Sequence, residues 1–162
     1  MTAALRTGTA DDIAGVVSLL NEAFAMEWDF INRDRTSASE IEQYMATGVF
    51  FIVDGAGGAV DACMYLEQRG ARLYLGMLAV SPARQGHGLG RQMMTAAERH
   101  AAALGCEALD IRIVNRRTEL PPFYRALGFV DNGTEPFDDP LLKKPCHFIR
   151  MTKRIGEGMW GR

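Results

Sequence analysis

The segment Arg84-Gln85-Gly86-His87-Gly88-Leu89-Gly90 stands between an apolar run, Leu73 to Val80, and a stretch of helical periodicity that starts near Leu89. Strand, glycine turn and helix in that order suit the binding of a phosphate. Backbone N–H groups at a helix start have no intrahelical partner and lie at the positive end of the helix dipole, so a glycine-opened turn lets them converge on an anion. A phosphorylated cofactor is therefore expected at this loop.

Spacing narrows the choice. Gly90 is followed by Arg91-Gln92, not by the lysine and hydroxyl residue of a nucleotide P-loop. The dinucleotide fingerprint fails as well, because its third glycine would fall on Arg91 or Met93. What fits is Gln-x-x-Gly-x-Gly at Gln85, Gly88 and Gly90, preceded by Arg84. That pattern resembles the pyrophosphate loop of the GNAT acetyltransferase superfamily, which binds acetyl-coenzyme A. Upstream, Met77-Leu78-Ala79-Val80-Ser81-Pro82 resembles the family's fourth strand, and downstream Asn115 and Phe123-Tyr124-Arg125-Ala126-Leu127-Gly128-Phe129 resemble its asparagine and its tyrosine-bearing segment. The three matches follow the family's order over about half the chain.

The resemblance implies a set of roles. Arg84, Gln85, Gly86, His87, Gly88, Leu89, Gly90 and Arg91 would hold the pyrophosphate, with His87 contributing its N–H more than its imidazole. The backbone of Leu78, Ala79 and Val80 would pair with the pantetheine arm and present an N–H to the thioester oxygen. Asn115 would touch the cofactor, and Tyr124 would protonate the departing thiolate. A thiol titrates near ~8.5 and a phenol near ~10, so the leaving group needs little help. In the plainer reading Gly86, Gly88 and Gly90 only make a turn, Arg84 is a solvated charge, and Tyr124 packs with Phe123, Leu127 and Phe129.

An attacking amine is mostly protonated at neutral pH, so something must take its proton. No acidic residue occurs from Arg72 to Val80, which leaves Glu67, Asp110, Glu27 and Asp29; Glu67 is taken as the base. The acceptor site is expected from Met26-Glu27-Trp28-Asp29-Phe30, with Trp28 and Phe30 as its contacts, and from the connection Asp131 to Pro145. Aromatics beside carboxylates suit a cationic amine, small-molecule or peptide, with an apolar body. The resulting expectation is an enzyme, an acetyl-CoA-dependent N-acetyltransferase acting on a primary amine by direct attack. The alternatives are a non-catalytic acyl-CoA-binding sensor and a structural domain.

The elements that must position these residues follow from periodicity. A short strand at Ala4–Thr7 leads to Thr9-Ala10-Asp11-Asp12, which has capping-box spacing with Asp in the reciprocal place. A helix follows, with Ile13, Val16, Val17, Leu20 and Phe24 on one face. Ser37 caps a second helix, with Ile41, Tyr44 and Met45 inward, and Gly48 ends it. Val49–Val53 and Ala59–Glu67 read as a hairpin about the turn Asp54–Gly58. Arg72–Val80 is the next strand, with Leu73, Leu75, Met77 and Ala79 on one side and Pro82 beyond its end. The helix after the loop buries Leu89, Met93, Ala97, Ala101 and Leu104, and Gly105 turns its C-terminus. Ala108–Val114 is a strand, Pro121–Leu127 a short helix, and Phe129 the start of another strand. Asp131–Pro145 reads as a long connection before a last strand, Cys146–Arg154, expected near a sheet edge where a homodimer could form.

The fold class is α/β with a mixed α+β sheet. The resemblance implies the GNAT-like acyl-CoA N-acyltransferase fold, a mostly antiparallel sheet of about six to seven strands flanked by about four helices. The 162 residues suit one domain, 1–155, with 156–162 a frayed tail. Eighteen basic and twenty acidic residues leave no field for nucleic acid or membrane, and neither partner is expected. Cys63, Cys106 and Cys146 lack metal-ligand spacing, so no metal is expected and the thiols read as reduced. With neither a leader-like start nor an apolar run of membrane length, the expected location is cytoplasmic.

Overall fold

Arg6 organises the start of the chain. Its guanidinium binds the carboxylates of Asp12 and Asp54, each at 2.7 Å, and so ties strand β1 (Arg6–Thr7) to the first helix and to strand β2 (Val49–Asp54). The Thr9 N–H donates to the Asp12 carboxylate at 2.8 Å, as the capping-box spacing predicts. A 3-10 turn at Ala10–Asp12 leads into helix α1 (Ile13–Ala23), which buries Val16, Leu19 and Leu20. Helix α2 (Ala38–Thr47) starts where Ser37 accepts the Glu40 N–H and ends at Gly48.

The computed structural model describes residues 4–156, so nearly all of the expected frayed tail lies outside the described residues. Strands β3 (Val60–Arg69) and β4 (Arg72–Val80) follow β2. β4 buries Leu73, Leu75, Met77 and Ala79, the residues its alternation predicts. β3 differs from a half-buried strand: Ala62, Cys63, Met64, Tyr65 and Leu66 are all at most 1% exposed, so both of its faces are covered. Helix α3 (Leu89–Ala103), strand β5 (Ala108–Val114) and helix α4 (Leu120–Ala126) stand where periodicity puts them. Leu104 is a correction: it lies past α3 and is 41% exposed, while Met94 is buried instead.

A second correction concerns the C-terminal part. Strand β6 (Val130–Pro136) occupies the first half of the expected connection, and strand β7 (His147–Arg154) pairs with it. The register between them shifts at Asp131/Thr134, where Gly133 adopts φ 94°, so a bulge absorbs the turn-like Asn132-Gly133 pair. Pro136 is tolerated because β6 is an edge strand. The sheet order is β1-β2-β3-β4-β5-β7-β6, with β4 and β5 parallel over Arg72–Tyr74 and Ala108–Asp110. β7 is therefore one strand in from the edge, which β6 occupies.

The chain packs as two units. The first takes the chain up to Met26, Asp34–Glu67 and Leu75–Ala97; the second takes Glu27–Arg33, Gln68–Tyr74 and the chain from Glu98 on. Among the described residues no helix is long and apolar enough to cross a membrane.

Candidate functional site

In the first unit the phosphate-loop sequence makes a compact turn. The Ser81 N–H donates to the Asp61 carbonyl at 2.7 Å, and Pro82–Arg84 form a 3-10 turn closed by Arg84 N–H to Ser81 O. Arg84 pairs with the Asp61 carboxylate at 2.7 Å, and the Gln85 amide donates to the Val80 carbonyl at 3.0 Å. Both side chains thus hold the loop against the strands. Gly86 and Gly88 take φ 81° and 77°, a region L residues avoid, and a Cβ on either would meet no protein atom within 4 Å. The need for glycine here comes from the backbone alone. Gly90 lies inside the first turn of α3.

The first bond of the α3 ladder runs from the Gln92 N–H to the Gly88 carbonyl, so the N–H groups of Leu89, Gly90 and Arg91 precede it. His87 and Arg91 are exposed, whereas the Leu89 side chain is 3% exposed and belongs to the core. Leu89 therefore has only its backbone to offer a ligand. Ser81 Oγ, at the base of the loop, is buried with no hydrogen-bond partner. The turned-out glycines, the helix start and this orphaned hydroxyl fit an anionic ligand.

Met77 precedes the expected pantetheine strand. Its φ is 50°, the one positive value at a non-glycine residue among the described residues. Such a conformation costs about 1–3 kcal/mol and persists where its surroundings enforce it. Sequence reasoning missed it, because methionine carries no signal for positive φ. Cys63 on β3, fully buried, donates its Sγ–H to the Met77 carbonyl at 3.5 Å. Burial pushes that thiol up to about 12.

Glu67, the expected base, accepts the Tyr65 hydroxyl at 2.5 Å, and that hydroxyl lies 2.8 Å from Thr47 Oγ1. Gly48 lets the chain close over it: a Cβ there would stand 2.6 Å from the Tyr65 oxygen. The carboxylate is thus held in place by its neighbours.

In the second unit Tyr124 is 8% exposed, packed edge-on against Phe123 and Phe129 at centroid distances of 5.1 and 5.5 Å. Burial pushes its phenol up to about 12, against a smaller opposing pull from Arg117. Asn115 closes the end of β5: its Oδ1 accepts the His147 N–H, and its N–H donates to the His147 carbonyl, both at 2.9 Å. The other carboxylates weighed as bases are engaged. Asp110 takes two bonds from Arg72 at 2.6 and 2.7 Å, Glu27 pairs with Arg117 at 2.8 Å, and Asp29 with Lys144 at 2.9 Å.

The two expected acceptor segments are joined within this unit. Asn32 N–H donates to Leu141 O, Lys143 N–H to Phe30 O, and Arg33 pairs with Asp139. Phe137–Pro140, Leu142, Pro145 and Cys146 line a cleft of about 560 Å³. Trp28 is 42% exposed, but Phe30 is 3% exposed. Its ring anchors the segment, so a side-chain contact from Phe30 to an acceptor is withdrawn.

A family model for an acetyltransferase (GNAT) domain matches residues 46–131, over half of the chain. The chain belongs to the GNAT acetyltransferase superfamily. Solved structures agree with the GNAT fold. The ribosomal-protein-S18-alanine N-acetyltransferase of Escherichia coli superposes with a TM-score of 0.77 at 15% identity, covering 96% of this chain and 95% of that one. A phosphinothricin acetyltransferase from Sinorhizobium meliloti in complex with AcCoA gives 0.76 at 20%, covering 97% and 90%. A putative acetyltransferase from Salmonella typhimurium with its cofactor acetyl-CoA gives 0.73 at 17%, covering 97% and 96%. No curated protein matches the chain significantly. In this GNAT chain no group of three or more His, Cys, Asp or Glu among the described residues could hold a metal ion.

Proposed function

We propose that this chain is an acetyl-CoA-dependent N-acetyltransferase acting on a primary amine. The observation that carries the reading is the left-handed Gly86/Gly88 turn, which opens α3 directly behind a strand strained at Met77. The N–H groups of the turn and of Leu89, Gly90 and Arg91 would bind the pyrophosphate, and Leu78–Val80 the pantetheine arm. Acetyl-CoA supplies the activated acyl group. An N–H of Leu78–Val80 would stabilise charge on the acyl oxygen, the kind of preorganised donor on which acyl transfer depends. Tyr124 would give its proton to the leaving sulfur. Glu67, fixed by Tyr65, would take the proton of the amine.

On this reading the cleft at Phe137–Cys146 and the exposed Trp28 receive the acceptor. Asp138 and Asp139 beside Phe137 suit a cationic amine. The three free thiols suit a reducing compartment, the cytoplasm.

A thiol-release screen with acetyl-CoA over amino acids, polyamines, aminoglycosides and amino-terminal peptides tests the reading, with Gly88→Ala as control. Wild type should release thiol with at least one amine. Gly88→Ala meets no protein atom but is strained at φ 77°, so it should fold with about 1–3 kcal/mol less stability and bind acetyl-CoA about tenfold or more weakly. Binding without thiol release for any amine would favour the sensor. Absence of acetyl-CoA binding, seen as an unchanged Tm at millimolar ligand, would overturn both.

A further inference from the structure

Strand β4 carries its strain at Met77, immediately before the Leu78–Val80 N–H groups on which the proposed reaction would draw, and something must hold that conformation. Among the described residues the hydrogen bond to the Met77 carbonyl outside the strand ladder comes from Cys63 Sγ at 3.5 Å. Every described peptide bond is trans, and a trans peptide points its C=O and the following N–H in opposite directions. With the Met77 carbonyl turned to the thiol, the Leu78 N–H points away from Cys63. We propose that Cys63 is a positioning residue, whose thiol holds the strained Met77 carbonyl and so aims the Leu78 N–H at the acyl oxygen.

This role rests on the function proposed above, but its structural half stands alone. Cys63 is fully buried and Met77 is 6% exposed, so the bond lies in a part of the core little open to water. Desolvation keeps the thiol protonated throughout the ordinary pH range, which makes it a standing donor and a poor nucleophile. A cysteine that only filled the core would leave the Leu78 amide indifferent to the loss of its S–H.

Three variants separate donor from filler. Cys63→Val removes the donor and adds one methyl group, Cys63→Ala removes both donor and bulk, and Cys63→Ser keeps a hydroxyl donor on a shorter arm. The proposal expects the Leu78 amide resonance to move in the Val and Ala variants and to stay nearer wild type in Ser. It also expects kcat to fall about three- to tenfold in Val and Ala, the range for one lost hydrogen bond, with KM for acetyl-CoA unchanged. Serine should exceed alanine in kcat while matching or trailing it in Tm. An unmoved Leu78 amide in Val, a wild-type kcat in Val, or serine no better than alanine would overturn the role. Should wild type release no thiol with any amine, the functional reading fails instead, and the amide resonance still decides whether Cys63 holds Met77.

Discussion

Tyr124 shows how burial sets the chemistry of a single side chain. Packed between Phe123 and Phe129, its phenol is pushed up to about 12, so it is a proton donor across the whole neutral range. On the proposed mechanism Tyr124→Phe should lower kcat about ten- to a hundredfold, at or below the usual range for a general acid because a thiolate leaves readily. KM for acetyl-CoA should change little. Steady-state kinetics with the amine found by the screen decide it, and an unchanged kcat would reduce Tyr124 to a packing residue. The same shift predicts a stability effect. The folded pKa lies above the unfolded value near ~10, so the contribution is fully present below pH 10 and is lost as pH rises toward 12. Denaturation of Tyr124→Phe at pH 9 to 11 should therefore show a shallower alkaline decline than wild type.

Elements with local signals were legible in the sequence, and those made by long-range pairing were not. The bounds of β4 and β5 follow from alternation, Ser37 from its capping spacing, and the loop from its glycines. The start of a strand at Phe129 is legible, but its run on to Pro136 is not, because Asp131, Asn132, Gly133 and Pro136 are turn residues; pairing with β7 supplies what composition does not. Met77 and the buried Phe30 escaped because φ and burial are imposed by neighbours distant in sequence. The Thr9–Asp12 start of α1 tests the local side of this division. Its carboxylate is held down to about 2, chiefly by Arg6, with the Thr9 N–H helping. Asp12→Ala should destabilise the fold by about 1 kcal/mol, as loss of a capping side chain does. Because the folded pKa is depressed, the contribution is present above the unfolded value near ~3.9 and fades as pH falls through 2. Urea titrations at pH 7 and pH 2.5 should show the variant's deficit shrinking at the lower pH; an equal deficit at both would show that Arg6 does not set it.

At the scale of the whole sheet, the two edges decide how copies of this chain could pair through their backbones. One edge is β1, with two residues, too short to template a partner strand. The other is β6, where every residue except Glu135 is exposed and the ladder is interrupted by a bulge at Gly133. Pro136 removes a donor from it. Asp131 pairs with Arg125 at 3.0 Å, and Glu135 is shared between Arg112 and Arg150 at 3.4 and 3.9 Å. Short length, bulge, proline and charge are the devices by which edge strands avoid joining one another. With β7 enclosed between β5 and β6, it offers no free edge for pairing with a second copy. We propose that copies of this chain do not assemble by strand pairing at β6. Sedimentation at about 10 to 100 μM, in the range where weak edge pairing would register, should then give the same mass for wild type and for Thr134→Pro. Proline at that position removes a backbone donor without touching the core, so a wild-type dimer dispersed by Thr134→Pro would overturn the assignment.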